Sequence, residues 1–365
     1  MNKKLVALAL SAVAAGMASA QTANVTLYGI VDTYLASERI GGVGLVAAKS
    51  TTMVTGGGLS GSRWGLRGSE SLGGGLNAIF TLEGGFASDT GALGQGGLLF
   101  GRRAFVGLNG GFGTVTIGRD YSPNFYVMCN SDDTFGGCLT GFSAVANMGG
   151  FFANTLRQNN QLRYVSPNFG GVTVEAAYAL GEVAGNSSAS RTIGANVQYK
   201  NGPIYVGVGF SDLKNGLAGP HTTAGIGDPF FGLSATAPTA SVSNKQFIFG
   251  ATYNFGVAYV GVTYMENKDF AGVKTKPLIG SVTVPFGAAR VGLQLAQNKS
   301  GSSKATSFGL LGEYDLSKRT ELYSAYVQCK NKGLNCSADG NVGASTATLR
   351  NQSASVFALG VKHKF

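Results

Sequence analysis

From Asn24 onward the chain alternates between apolar and polar positions. Over Val25–Leu35 one face carries Val25, Leu27, Gly29, Val31, Thr33 and Leu35, and the other Tyr28, Ile30, Asp32 and Tyr34. Leu76, Ala78, Phe80, Leu82 and Phe86 oppose Asn77, Thr81 and Glu83 in the same way. The beat returns at Val174–Leu180, Ile204–Phe210, Phe247–Phe255 and Phe308–Leu316, and weakens around Val257–Tyr264 and Leu322–Val327. A period of two predicts half-exposed β-strands. Short turns, most bearing Gly or Pro, fall at Ser71–Gly75, Asn109–Phe112, Pro167–Gly171, Asn201–Gly202, Phe255–Gly256, Phe286–Ala289 and Leu316–Arg319. Between them lie longer polar or glycine-rich stretches at about 37–60, 87–98, 122–156, 181–190, 211–244, 267–274, 298–304 and 330–351. Seven short turns alternating with eight long loops predict sixteen strands with both termini on the short-turn side. That is the pattern of an all-β, antiparallel transmembrane barrel with long extracellular loops and short periplasmic turns.

A secreted β-sandwich or β-helix shares the alternation, but its apolar face packs into a protein core. Here the polar face carries Arg63, Arg67, Glu83, Glu175 and Glu313, too many charges for a second packed layer. The chain also ends on a strand with Phe357, Leu359, Val361, His363 and Phe365 on one face and Lys362 and Lys364 on the other. An apolar face toward lipid and a polar face toward water fit both observations.

Composition sharpens this picture. Residues 1–20 read as a cleavable secretory signal peptide: Lys3-Lys4, an apolar run from Leu5 to about Ala15, then Ala18-Ser19-Ala20. Its removal leaves 345 residues, 21–365, as one domain. It takes away two of the 28 basic residues and none of the 18 acidic ones, so the net charge falls from +10 to +8. No later apolar run is long enough for a membrane-spanning helix. The 58 glycines have no three-residue period, and aromatics at 10% argue against disorder. Export into an oxidising compartment favours disulfides in the close pairs Cys129/Cys138 and Cys329/Cys336. Metal binding is the alternative there, but neither pair has CxxC spacing and no His lies nearby.

Catalytic chemistry finds no foothold. His221 sits beside Pro220 and His363 near the carboxyl end, neither with a Ser or Asp placed to form a nucleophile–base pair. No metal or other cofactor is expected. Basic residues are not interleaved with an aromatic platform, so no nucleic-acid partner is expected either. A barrel acting mainly through its surface loops, as an adhesin or anchor, is the rival to a channel.

Several segments carry a family likeness: Leu27–Asp32 (LYGIVD), Ser62–Glu70 (SRWGLRGSE), Leu72–Leu76 (LGGGL), Phe100–Leu108 (FGRRAFVGL), Phe112–Arg119 (FGTVTIGR), Arg163–Phe169 (RYVSPNF) and Val361–Phe365 (VKHKF). Together they resemble the trimeric general porins of Gram-negative outer membranes, especially the anion-preferring type of β-proteobacteria. The resemblance covers essentially the whole mature chain. It implies a homotrimer of sixteen-stranded barrels in the outer membrane, passing small anions and hydrophilic solutes by passive diffusion. Lipid and lipopolysaccharide surround such a barrel, and the barrel-assembly machinery reads its last strand, here ending on Phe365. The third long loop, about 122–156, folds inward in this family, where Cys129 and Cys138 would clip it. The second, Ala87–Leu98, reaches over a neighbouring subunit.

Basic residues at the narrowest point favour anions. Parity places Arg63 and Arg67 on the lumen face, because Trp64 and Leu66 take the lipid side. The plain alternative is that such arginines pair with Glu83 or Asp32. Arg102 and Arg103 are adjacent, so alternation admits only one of them to the lumen and does not say which. The resemblance assigns the constriction arginines to Arg63, Arg102 and Arg157. It also expects a Pro-Glu-Phe-Gly-Gly stretch on the inward loop. This chain reads Asp133-Thr134-Phe135-Gly136-Gly137, leaving Asp132 and Asp133 as the acidic side. A first-strand lysine position holds Ile30 instead. With the positive net charge, the reading is a channel that prefers anions.

Overall fold

A computed structural model describes residues 24–41, 48–132, 134–137, 142, 156–214, 243–268, 272–332, 334 and 353–365. Eighteen β-segments form one closed antiparallel sheet. Two pairs of segments are halves of single strands. β2 (Lys49–Gly56) and β3 (Arg63–Gly73) pair with the two ends of β1 (Asn24–Ile40). β13 (Lys274–Thr275) and β14 (Leu278–Phe286) both pair with β12 (Tyr259–Lys268). Every other segment pairs with its sequence neighbours. The last, β18 (Ser353–Lys364), closes on β1 from Ile40↔Ala354 to Ile30↔Lys364. The result is a closed sixteen-stranded barrel without a free edge, which satisfies backbone donors and acceptors in lipid.

All seven short turns stand where the alternation breaks. The long stretches differ in two places. Residues 298–304 are a tight hairpin: Ser300 pairs with Ser303 around Gly301, which is left-handed at φ 56°. The first stretch, 37–60, is largely strand. β1 runs on to Ile40 and β2 begins at Lys49, continuing the ladder with polar residues such as Ser50, Thr51 and Thr52. Above the lipid, water meets both faces, so the apolar half of the alternation is no longer needed and the pattern fades before the strand ends.

The two faces separate as their chemistry demands. Outside, Val106 and Ile117 are 61% exposed, and Leu27, Leu35, Leu295, Phe357 and Leu359 join the same apolar band. Inside, Asp32, Glu38, Glu83, Glu175 and Gln246 are buried. The lumen also contains an apolar patch that alternation alone does not announce. Ile248, Met265, Ile279 and Ala296 point inward and pack under Phe125, Val127 and Met128 of a short helix, α1 (Pro123–Asn130). The helix opens the third loop and touches the inner wall. Pro123 at its first turn suits the missing backbone donors there. Beyond it the loop continues round the wall. Phe135 seats beside Gly309, and Phe142 packs on Tyr34 at a ring separation of 4.8 Å.

Candidate functional site

A strongly charged stretch of the channel wall spans six consecutive strands. Arg63 begins β3, Glu83 lies on β4 (Leu76–Gly85), and Arg102 and Arg103 enter β5 (Arg103–Gly110). Asp120 and Tyr121 end β6 (Gly113–Tyr121), and Arg157 and Arg163 lie on β7 (Arg157–Val165). Glu175 on β8 (Val172–Ala179) completes the set. A register shift between Gly118 and Asp120 re-aims the end of β6, so that Asp120 and Tyr121 are both buried.

Tyr121 is the hub. Its hydroxyl accepts hydrogen bonds from Arg102 at 2.7 Å and Arg157 at 2.8 Å. The Arg157 guanidinium also stands 4.4 Å over the ring centroid, and the ring's other partner is Phe125 of α1, stacked at 3.9 Å. Cation–π contact of this kind contributes about 1–2 kcal/mol when shielded from water. The third loop thereby sets the position of the arginines. Arg102 Nε donates to Glu83 at 2.7 Å, and Tyr28 donates to the same carboxylate at 2.9 Å.

Arg63 finds neither Glu83 nor Asp32 as an ion-pair partner. Its Nε donates to the Gly61 carbonyl at 2.9 Å, while Asp32 accepts from the backbone N–H groups of Leu59 and Ser60 and from Tyr323. Arg157 Nε is buried with no hydrogen-bond partner among the described residues. Arg67 lies four residues further along β3, exposed, with its guanidinium 5.3 Å from the Tyr28 ring centroid.

The choice between Arg102 and Arg103 dissolves. Arg102 sits in a bend before β5 begins, so strand parity does not govern it. Both arginines reach the same network: Arg103 donates to both Asp120 oxygens, at 2.8 and 3.1 Å, and needs no neighbouring subunit. Arg163 joins Asp120 at 3.4 Å and Glu175 at 2.5 Å. Tyr126 lies 4.6 Å below the Arg163 guanidinium, and burial pushes its phenol up, so it stays neutral and cancels no charge. Five arginines therefore meet three carboxylates on this wall. Tyr121 and Asp120 carry no sequence signal for this role, because the bulge that aims them breaks strict alternation, whereas Arg163 follows it between exposed Leu162 and Tyr164.

The loop is stapled to the opposite wall by polar contacts. Asn124 donates to Gln246 at 2.9 Å, and Ser131 and Thr263 hydroxyls meet at 2.6 Å. Thr134 and Thr283 hydroxyls lie 3.1 Å apart. Asp132 accepts from Gln294 and from the Thr134 backbone and is buried, so its carboxylate turns to the wall. Asp133, Cys138, Cys336 and His221 lie outside the described residues. Cys129 and Cys329 are each disulfide-bonded. At the short-turn end Arg290 reaches Glu313, Asp315 and Glu321, and Lys362 also pairs with Glu321, so charge there is nearly balanced.

Comparison with known proteins agrees with this geometry. A model of the Gram-negative porin family matches residues 7–334. Outer membrane porin protein 32 of Delftia acidovorans is 35% identical, over 99% of this chain and 95% of that one. An outer membrane porin protein of Bordetella pertussis is 29% identical over the full length of both. The solved anion-selective porin from Comamonas acidovorans superposes with a TM-score of 0.74 at 31% identity, covering 94% of this chain and 100% of that one.

Proposed function

The chain belongs to the Gram-negative porin family, passive channels built as integral β-barrels of the outer membrane, and on that premise we propose that its pore prefers anions because of the arginine wall around Tyr121. The observation that carries this is the imbalance of charge. Arg63 and Arg157 have no carboxylate within ion-pair distance among the described residues, while Arg102, Arg103 and Arg163 are compensated by Glu83, Asp120 and Glu175. Uncompensated guanidinium groups at the aqueous surface raise the local concentration of anions and offer short-lived hydrogen bonds to them. Asp132, turned to the wall, does little to offset that field, and Asp133 is left as the acidic member of the loop.

The assembly is a homotrimer in this reading. Leu93, Leu98 and Leu99 in and beside the second loop are exposed, as a contact with a second copy requires. The signal peptide 1–20 is removed, Cys129 pairs with Cys138, and Cys329 pairs with Cys336. The barrel-assembly machinery engages the strand ending on Phe365. Single-channel recording tests the channel. Conductance should appear in steps of three. Replacing chloride by the bulkier acetate should lower it more than replacing potassium by lithium. Loss mainly on the cation exchange would overturn the anion preference.

A further inference from the structure

Between β2 and β3 the wall folds into the channel. Gly56 stands opposite Thr33 of β1 and Arg63 opposite Ile30, so the six residues Gly57–Ser62 leave the ladder where β1 advances by only two, Val31 and Asp32. The detour begins at Gly57, left-handed at φ 84°, and turns inward. Leu59 is fully buried and joins Tyr34, Phe142 and Tyr323 of β17 (Thr320–Lys332) in one apolar cluster. A side chain would not fit at Gly58, where a Cβ would stand 2.4 Å from the Tyr323 hydroxyl and 2.6 Å from the Phe142 ring. The turn is thus wedged between the wall and Phe142 of the third loop.

One carboxylate holds it there. Asp32 is fully buried, and one of its oxygens accepts from the consecutive N–H groups of Leu59 and Ser60 at 2.8 and 2.7 Å. The other accepts from the Tyr323 hydroxyl at 2.6 Å. Gly360 of β18 makes room for that reach, since a Cβ there would stand 2.2 Å from the Tyr323 ring. Two successive N–H groups on one anion make a strong and directional clasp. The Asp32 backbone adds to it. Its N–H donates to the Ser62 hydroxyl at 3.0 Å, and its carbonyl accepts from the Gly57 N–H at 2.9 Å and the Ser88 hydroxyl at 2.8 Å. The far side of the turn meets the arginine wall. The Gly61 carbonyl accepts from Arg63 Nε at 2.9 Å, and a Cβ on Gly61 would lie 3.2 Å from a guanidinium nitrogen of Arg102.

We propose that Asp32 is a positioning residue for anion preference: through the turn Gly57–Ser62 it holds the Gly61 carbonyl where Arg63 presents its charge to the passing ion. The inference rests on the arginine wall as the element that selects ions. It gives an acidic side chain a role opposite in sign to its charge. As a fixed negative charge alone, Asp32 would oppose anions, and its loss would strengthen the preference for them. As the clasp of the turn, its loss weakens that preference.

Reversal potentials of planar bilayers under a KCl gradient, recorded on the full-length mature protein, separate the two roles. Asp32→Ala removes both charge and acceptor and should move the potential toward the potassium side, as Arg63→Gln should. Asp32→Asn removes the same charge but keeps an acceptor oxygen for the two N–H groups. Its potential should stay at the native value or move toward the chloride side. Adding Asp32→Ala to Arg63→Gln should bring no further shift toward potassium, because the residue it acts through is already gone. Should Asp32→Ala give no folded barrel, Tyr323→Phe removes a donor to the carboxylate without changing any charge, and it should also move the potential toward potassium. With Arg63→Gln shifted, equal potentials in the two Asp32 variants would overturn the inference alone, as would a native potential in Tyr323→Phe where only that variant folds. An Arg63→Gln channel that keeps the native potential would overturn the selecting role of the wall, and the inference with it.

Discussion

At the scale of single residues, Glu83 is the informative position. It is 5% exposed and holds both Arg102 and Tyr28. Replacing it by Gln keeps the shape and removes one negative charge from the wall. The expected outcome is two-sided: anion preference rises in bilayer recordings, while the barrel loses about 3 kcal/mol because a buried guanidinium is left uncompensated, read as a lower temperature for conversion to the unfolded band on gels. A variant that loses stability without gaining anion preference would show that Glu83 lies outside the field of the pore. The sequence made Arg63 legible because alternation with Trp64 and Leu66 fixes its face. Arg102 needed the family resemblance, since it stands in a bend. Tyr121 was not legible, because a one-residue register shift decides where it points.

At the scale of elements, the described part of the third loop lies against the inner wall of the barrel. Its inward course is fixed by an apolar seat under α1 and by side-chain contacts made by Asn124, Ser131, Thr134 and Asp132. Each buried hydrogen bond of this kind contributes about 1 kcal/mol, so no single one holds the loop. The combined Asn124→Ala and Ser131→Ala variant should therefore leave the barrel folded yet raise open-channel noise and mean conductance. Reducing agent should add the same noise to the native channel if Cys129 is clipped to Cys138, and free thiols at both positions in the unreduced mature protein would refute that pairing. The strands were legible wherever lipid demands an apolar face. They were lost where β1 and β2 rise into water, and at 298–304, where polar residues that read as a loop form a two-residue hairpin. The apolar seat of the loop was hidden for the opposite reason. Ile248 and Met265 look like lipid-facing residues placed out of step.

At the scale of the whole molecule, the fold is a closed ring, and its seam depends on the carboxyl end. The Phe365 and Gly29 backbones exchange hydrogen bonds at 3.1 Å, and a Cβ on Gly29 would stand 2.2 Å from the Phe365 ring. Deleting Phe365 should lower the yield of folded barrel in the outer membrane while leaving export unchanged; an unchanged yield would remove its role as an assembly signal. Strand number and the alternation of turns and loops were both readable from the chain, because a barrel is a repetition of one rule. Charge balance was readable only as a net surplus. The structure gathers part of that surplus in the arginine wall inside the barrel. Selectivity thus belongs to the whole channel, and the reversal potential of a planar bilayer under a KCl gradient measures it most directly. For the native protein its sign should report chloride as the more permeant ion, and replacing Arg63, Arg102 and Arg157 together by Glu should carry it toward the potassium side. A native potential on the potassium side, or a triple variant whose potential does not move, would contradict the account.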